Sequence, residues 1–159
     1  ETVEVFFANN QILFRSEHIS FYTRLLEGNY PDTDRLIPTE FNTEATFNVP
    51  NLRFAMERAR LLSNATQNGT VKLEFKNGVV SSHVHSPEVG RVNEEIDTSA
   101  VSGEDLSISF NPTYLIEALK AIDSEQVVIR FISSVRPFTL VPEGNEQGFI
   151  QLITPVRTN

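Results

Sequence analysis

The same series of hydrophobic patterns occurs twice in the C-terminal three quarters of this chain. Within residues 44–159, an alternating, strand-like stretch is followed by an amphipathic helical stretch and three more alternating stretches, and the series then repeats. The two helical stretches begin about 60 residues apart, which indicates an internal duplication. Because each helix has an apolar face that a sheet must cover, the sequence predicts an α+β fold. We expect a duplicated β-α-β-β-β unit with two helices on one face of the sheets.

Two apolar stripes identify the helices. Their members recur at intervals of three or four residues and are Leu52, Ala55, Ala59 and Leu62 in the first helix and Leu115, Ala118, Leu119 and Ile122 in the second. Pro50 lies near the start of the first helix, while Asn111 and Pro112 are suited to the N-cap and first position of the second. Both helices therefore have a start signal as well as a period.

Strict alternation of apolar and polar residues identifies the strands. Asn77 and Gly78 are the residue types that a tight hairpin turn prefers, and they separate two such stretches. The pattern predicts strands at 71–75, 79–85, 91–97 and 106–110, and a three-stranded meander at 127–132, 136–141 and 148–156.

The N-terminal part has a meander pattern of its own. Strands are predicted at 4–8, 11–15 and 19–26, and the proline-containing, acidic segment 29–42 follows them as a connector. Because the chain starts with a strand pattern, we expect it to be a piece of a longer protein. Residues 1–28 would then be the closing strands of a preceding domain.

Composition excludes several classes of function. The chain has no cysteine, so disulfide scaffolds and cysteine-based zinc sites are excluded, and a reducing cytoplasm is the expected location. It has no apolar run of the ~20 residues that a membrane span needs. The net charge of −8 argues against broad adhesion to nucleic acid, unless the cations are gathered on one surface.

Two polar clusters are candidates for chemical sites. His83 and His85 share one face of a predicted strand, as metal ligands would, but no third ligand is evident. Glu94, Glu95 and Asp97 form an acidic cluster that a solvated or interface strand explains better than acid–base chemistry. The sequence contains no phosphate-binding loop or nucleophile motif, so we predict no catalytic residue, no metal and no cofactor.

The basic residues on the helices and the apolar C-terminal tail each allow two interpretations. The helical cations are Arg53, Arg58, Arg60 and Lys120. They suit loose contact with phosphates or an ordinary solvated helix face, because Glu57 and Glu117 dilute the charge. Residues 152–157 are largely apolar with Pro155 inside them, which fits core packing or a groove for a partner peptide.

Four segments resemble the bacterial DNA polymerase III beta subunit, the sliding clamp, in its Gram-positive type. They are residues 30–38 (YPDTDRLIP), 58–64 (RARLLSN), 110–115 (FNPTYL) and 153–157 (ITPVR), in the order and spacing of that family. The resemblance covers the whole chain. It implies that residues 1–42 are the closing strands of the second clamp domain plus a connector, and that residues 43–159 are the third domain.

The resemblance also implies a function. The family forms a ring-shaped homodimer whose helices line a hole that holds duplex DNA without reading its sequence. Arg53, Arg58, Arg60 and Lys120 would then face the DNA, which answers the objection raised by the net charge. DNA polymerase III alpha subunit, clamp loader and repair polymerases would bind through short linear motifs. A generic α+β protein-interaction module without a DNA role is the alternative.

Site residues follow from the same resemblance. The third-domain wall of the partner-peptide groove would comprise Pro31, Arg35, Leu36, Val135, Pro137, Leu152, Ile153, Thr154, Pro155, Val156 and Arg157. Pro137 and Thr154 depart from residue types in the best-known member, so motif preference can differ. The dimer interface would contain Leu61, Leu62, Glu94 and Glu95. Leu62 continues the helical stripe, so Leu61 is the one expected to be exposed.

Overall fold

The computed structural model describes residues 2–30, 32–63, 69–86, 90–145 and 148–157. The chain divides into two compact units, Glu1–Asp34 and Arg35–Asn159. The first unit is an antiparallel meander of β1 (Glu4–Phe7), β2 (Gln11–Arg15) and β3 (Ser20–Arg24), which confirms the predicted strands. Neither of the helices described below is long and apolar enough to cross a membrane.

The second unit contains two antiparallel sheets and two helices. After a short 3-10 turn at Thr33–Arg35, the elements are β4 (Thr43–Asn48), α1 (Val49–Ser63), β5 (Val71–Lys76), β6 (Val79–Ser86), β7 (Gly90–Ile96), β8 (Ala100–Gly103), β9 (Leu106–Phe110), α2 (Pro112–Lys120), β10 (Gln126–Phe131), β11 (Phe138–Pro142) and β12 (Gln151–Ile153). The strand orders are β12-β11-β10-β4-β8 and β7-β6-β5-β9. The predicted β-α-β-β-β order therefore occurs twice, with β8 as an additional strand.

The two halves exchange their first strands. β4 opens the first half but pairs with β10 of the second, whereas β9 opens the second half and pairs with β5 of the first. Each sheet thus contains strands from both halves. Neither half can form its sheet without the other, so the duplication produces one folding unit.

Local hydrogen bonds explain where the helices begin and end. The Asn48 side chain accepts from the backbone N–H of Asn51 at 3.1 Å, and the predicted cap Asn111 accepts from that of Thr113 at 2.9 Å. The second helix ends at Lys120 because the N–H of Ala121 turns back to the carbonyl of Ala118. Ile122, which was predicted on the helical stripe, therefore lies beyond the helix but is still buried.

Glycine is required at two turns for different reasons. Asn77 and Gly78 have φ values of 51° and 78°, which confirms the predicted hairpin between β5 and β6. Gly103 has a φ of +98°, and a Cβ atom there would lie 1.9 Å from the carbonyl oxygen of Asn42. Only glycine allows this approach of β8 to the start of β4.

One core joins both sheets and both helices. Aromatic rings connect the sheets. The ring centroid of Phe75 on β5 lies 4.9 Å from that of Phe131 on β10, and the centroid of Phe110 on β9 lies 5.1 Å from that of Phe138 on β11. The helical stripes are buried in the same core, and α1 packs against α2. The prediction that the helices lie side by side is confirmed.

Candidate functional site

The C-terminal tail crosses from one sheet to the other. β12 pairs with β11, placing Leu152 opposite Thr139 and Ile153 opposite Phe138. The strand ends at Ile153, earlier than predicted, because Pro155 has no N–H to donate to a ladder. The N–H of Val156 then donates to the carbonyl of Ser109 on β9 at 2.7 Å.

A surface pocket of about 380 Å³ lies between α2 and this tail. It is lined by Tyr114, Glu117, Ala118, Ala121, Gln151, Leu152, Ile153 and Thr154. The last three belong to the predicted groove, whereas the residues of α2 were not predicted. The sequence contains one indication of this site, because Tyr114 is a large aromatic residue outside the apolar stripe of the second helix. In the structure its side chain is well exposed.

The other predicted groove residues differ in accessibility. Leu36, Val135 and Val156 are exposed, and Pro137 and Pro155 are half-buried. Arg35 and Arg157 are also exposed, and Arg35 ends the short 3-10 turn. Ile153 is only 3% exposed and packs in the core, so it can form the floor of the pocket but not its rim. Pro31 lies outside the described residues.

Each predicted DNA-facing cation has an acidic neighbour. Arg53 lies 3.6 Å from Glu57, Lys120 lies 2.9 Å from Glu117, and Arg58 is paired with Glu94. The hydrogen bond from Lys120 lowers the pKa of Glu117, and the charge of Arg60 adds to this effect. The exposed pairs of Arg53 and Lys120 contribute little because solvent screens them, so an incoming phosphate can compete for these two cations.

The predicted dimer-interface residues lie at one edge of the second unit. Leu61 is 72% exposed, whereas Leu62 packs partly against the core, as the helical stripe predicted. β7 is the terminal strand of its sheet. On it, Glu94 lies opposite the buried Ser82 and so on the helix face, and Glu95 lies opposite Ser81 on the outer face.

Hydrogen bonds on the outer face of the sheet hold His83 in place. Its Nε2 lies 2.9 Å from the Ser81 hydroxyl and its Nδ1 lies 2.8 Å from Oδ1 of Asn93. The order resembles a nucleophile, a base and an orienting group. However, β6 is paired on both sides, so its N–H groups belong to the ladder and provide no oxyanion site. Within the described ranges no three potential metal ligands cluster.

Comparisons of sequence place the chain among replication proteins. Residues 34–157 match the family described as DNA polymerase III beta subunit, C-terminal domain. Over all of its 159 residues the chain is 80% identical to the beta sliding clamp of Streptococcus pneumoniae serotype 4. It is 55% identical to that of Lactococcus lactis over 161 aligned residues. The chain spans 42% of the length of each of these relatives.

Comparisons with solved structures lead to the same group of proteins. The chain matches the DNA polymerase III beta chain of Streptococcus pneumoniae with a TM-score of 0.91 and 79% identity, covering 98% of this chain and 41% of that one. It matches the Bacillus subtilis DNA polymerase sliding clamp with a TM-score of 0.86 and 38% identity, covering 99% and 41%. These matches confirm the predicted α+β clamp fold. The chain belongs to the DNA polymerase III beta subunit family, the beta sliding clamps.

Proposed function

We propose that this chain is the C-terminal part of a processivity factor that encircles duplex DNA as a ring-shaped homodimer and tethers DNA polymerase III. Residues 1–42 would close the second clamp domain and connect it to the third, which begins at residue 43. The full-length chain is defined here as this segment preceded by the N-terminal portion that the relatives possess. We expect the full-length protein to be a cytoplasmic, non-catalytic subunit.

The observation that carries this proposal is the duplicated unit with its two helices side by side. Because α1 packs against α2, Arg53 and Arg60 of the first helix and Lys120 of the second would share one surface. In a ring, that surface would be the inner wall, and phosphates would meet Arg53, Arg60 and Lys120 without any contact to base edges. Such contacts attract DNA but hold no register, as sliding requires.

Replacing Arg53, Arg60 and Lys120 together by alanine is expected to weaken retention of the full-length ring on DNA. Each lost phosphate contact lowers the slope of log affinity against log salt by up to ~0.9. The measurement is retention on circular duplex DNA across a salt series. The matched control replaces Lys72, Lys76 and Arg91, which lie on the outer strands. Equal slopes for both triple variants would show that the helices do not face DNA.

Self-association is proposed at the edge formed by β7 and the end of α1. In the described chain, β7 has a strand partner on one side only, so its other side can pair with a strand of a second protomer. The exposed Leu61 would supply apolar contact, and Glu94 and Glu95 would face basic residues. This acidic edge suits the family's ring interface.

Leu61→Lys is expected to weaken the full-length dimer at least about 100-fold. Burial of one leucine side chain is worth roughly 1.5–3 kcal/mol, a ring of two protomers loses it at both interfaces, and the lysine would also add an unpaired charge. Analytical ultracentrifugation gives the dimer dissociation constant. Val79→Lys introduces the same charge at an exposed position of β6 and is expected to leave that constant unchanged. A dimer that is insensitive to Leu61→Lys would contradict the ring assignment.

Partner peptides are proposed to bind at the C-terminal tail. The pocket beside α2 offers an apolar floor with the Tyr114 ring beside it, and Val156 extends the apolar surface along the tail. A few apolar anchors in a small contact area give specificity while partners can still exchange. Short motifs of the polymerase III alpha subunit, the clamp loader and repair polymerases are the proposed ligands.

A further inference from the structure

The cations of α1 point to two different sides of the helix. The hydrogen bond from Lys120 is the main cause that lowers the pKa of Glu117 on α2, and the charge of Arg60 in the last turn of α1 adds to it. Arg58 lies two residues earlier in the same helix, yet its guanidinium reaches Glu94 on the edge strand β7. Because successive residues are about 100° apart on a helix, two residues separated by two positions point in very different directions. The four predicted DNA-facing cations therefore do not form one surface.

The contact between Arg58 and Glu94 is bidentate. Nε of Arg58 donates to Oε2 of Glu94 at 3.2 Å, and Nη2 donates to Oε1 of the same carboxylate. This fork geometry fixes the orientation of a carboxylate as well as its position. The side chain of Glu94 is 28% exposed and that of Arg58 is 56% exposed, so solvent still reaches the pair. The hydrogen bond to Glu94 also raises the pKa of Arg58.

Among the described residues, this ion pair lies at a sheet edge that has no further strand partner, and it has apolar neighbours. Glu94 and Val92 share the helix face of β7, and Val92 is 41% exposed. Leu61 lies three residues after Arg58, and residues at this spacing are neighbours on a helix surface. An exposed apolar residue on each element thus accompanies a fixed carboxylate. Such a combination suits a protein surface better than a DNA backbone, because the exposed Leu61 and Val92 gain from burial against another protein and have nothing to contact on a phosphate backbone.

We infer that Arg58 acts at the protomer edge and not on the DNA-facing wall, where it positions the Glu94 carboxylate to accept a hydrogen bond from a basic residue of a second copy of the full-length chain. The inference rests on the proposed ring assembly. A carboxylate has about four lone-pair sites. Arg58 occupies one on each oxygen, which leaves one on each for the second copy. Glu94 is then already ordered before the protomers meet, which favours association.

The test compares Arg58→Gln with its matched control Arg60→Gln in the full-length chain. Two quantities are measured: the dimer dissociation constant and the salt slope of retention on circular DNA. Arg58→Gln is expected to raise the dissociation constant roughly tenfold, since it frees a partly buried carboxylate at the interface, and to leave the salt slope unchanged. Arg60→Gln is expected to lower the slope and leave the dissociation constant unchanged.

A double variant separates positioning from a direct contact. If Arg58 acts through Glu94, Arg58→Gln has no further effect on the dissociation constant once Glu94→Gln is present. Arg58→Lys keeps the charge and restores part of the affinity. The inference is overturned if Arg58→Gln lowers the salt slope as Arg60→Gln does. It is equally overturned if Arg58→Gln lowers only the thermal midpoint. Failure of the ring proposal gives a different result, because Leu61→Lys would then leave the dimer dissociation constant of the full-length chain unchanged.

Discussion

Phe131→Ala is expected to lower the free energy of unfolding of this chain by about 3–5 kcal/mol. The Phe131 side chain is fully buried and lies between two other rings, 4.9 Å from Phe75 and 5.1 Å from Phe138. Removing the ring loses its transfer free energy and leaves a cavity where the two sheets meet. The loss is a large fraction of the roughly 5–15 kcal/mol that stabilises a typical domain.

Urea denaturation followed by circular dichroism measures this loss. The matched control is Phe54→Ala, because Phe54 lies on the surface of α1 with 49% of its area exposed and contacts Arg53. We expect the control to lower the free energy of unfolding by only about 1 kcal/mol, because half of the Phe54 side chain is already exposed. Equal losses in the two variants would show that the aromatic contacts between the sheets do not hold the fold together.

The elements that could be predicted are those specified by local sequence. Helix α2 has a cap, a proline at its first position and an apolar stripe, all within about twelve residues. The hairpin at Asn77 and Gly78 depends on two residues. By contrast, β8 is short and contains serine and glycine, without an alternating pattern. It forms because Gly103 lets the chain approach Asn42, far away in sequence.

The exchange of strands between the halves could not be predicted for the same reason. The pattern of β4 shows that one face is buried, but it does not show whether the neighbour is β5 or β10. That choice depends on how two sheets share one core, which is a non-local property. The duplication was visible in the sequence because it requires only the order of elements. The way the halves interlock became visible only in the pairing of strands.

The candidate site also contains features that local sequence specifies and features that depend on contacts between distant residues. The exposure of Leu61 relative to Leu62 followed from the helical stripe, and the structure confirms it. The pairing of Arg58 with Glu94 joins residues 36 positions apart, so the sequence does not show this contact, and the resemblance implied two different surfaces for them. Tyr114 lies in the segment 110–115 that resembles the family, but its place beside Leu152 and Thr154 depends on the packing of α2 against β12.

Deletion of residues 154–159 from the full-length chain is expected to abolish binding of a partner peptide, with affinity at least ~100-fold weaker. The deletion removes Thr154 from the wall of the pocket and the exposed Val156 from its extension. It also removes the hydrogen bond from Val156 to Ser109. One such bond contributes about 0.5–1.5 kcal/mol, so the thermal midpoint should fall only modestly and the dimer should persist.

Fluorescence anisotropy of a labelled peptide that carries the clamp-binding motif of the polymerase III alpha subunit decides this prediction. Val156→Asp tests the site without shortening the chain, and Val79→Asp places the same change at an exposed valine of β6. We expect Val156→Asp to weaken the peptide at least about tenfold, because a charge replaces an apolar anchor, and Val79→Asp to have no effect. Undiminished affinity in a folded, dimeric deletion variant would place the peptide site elsewhere on the full-length protein.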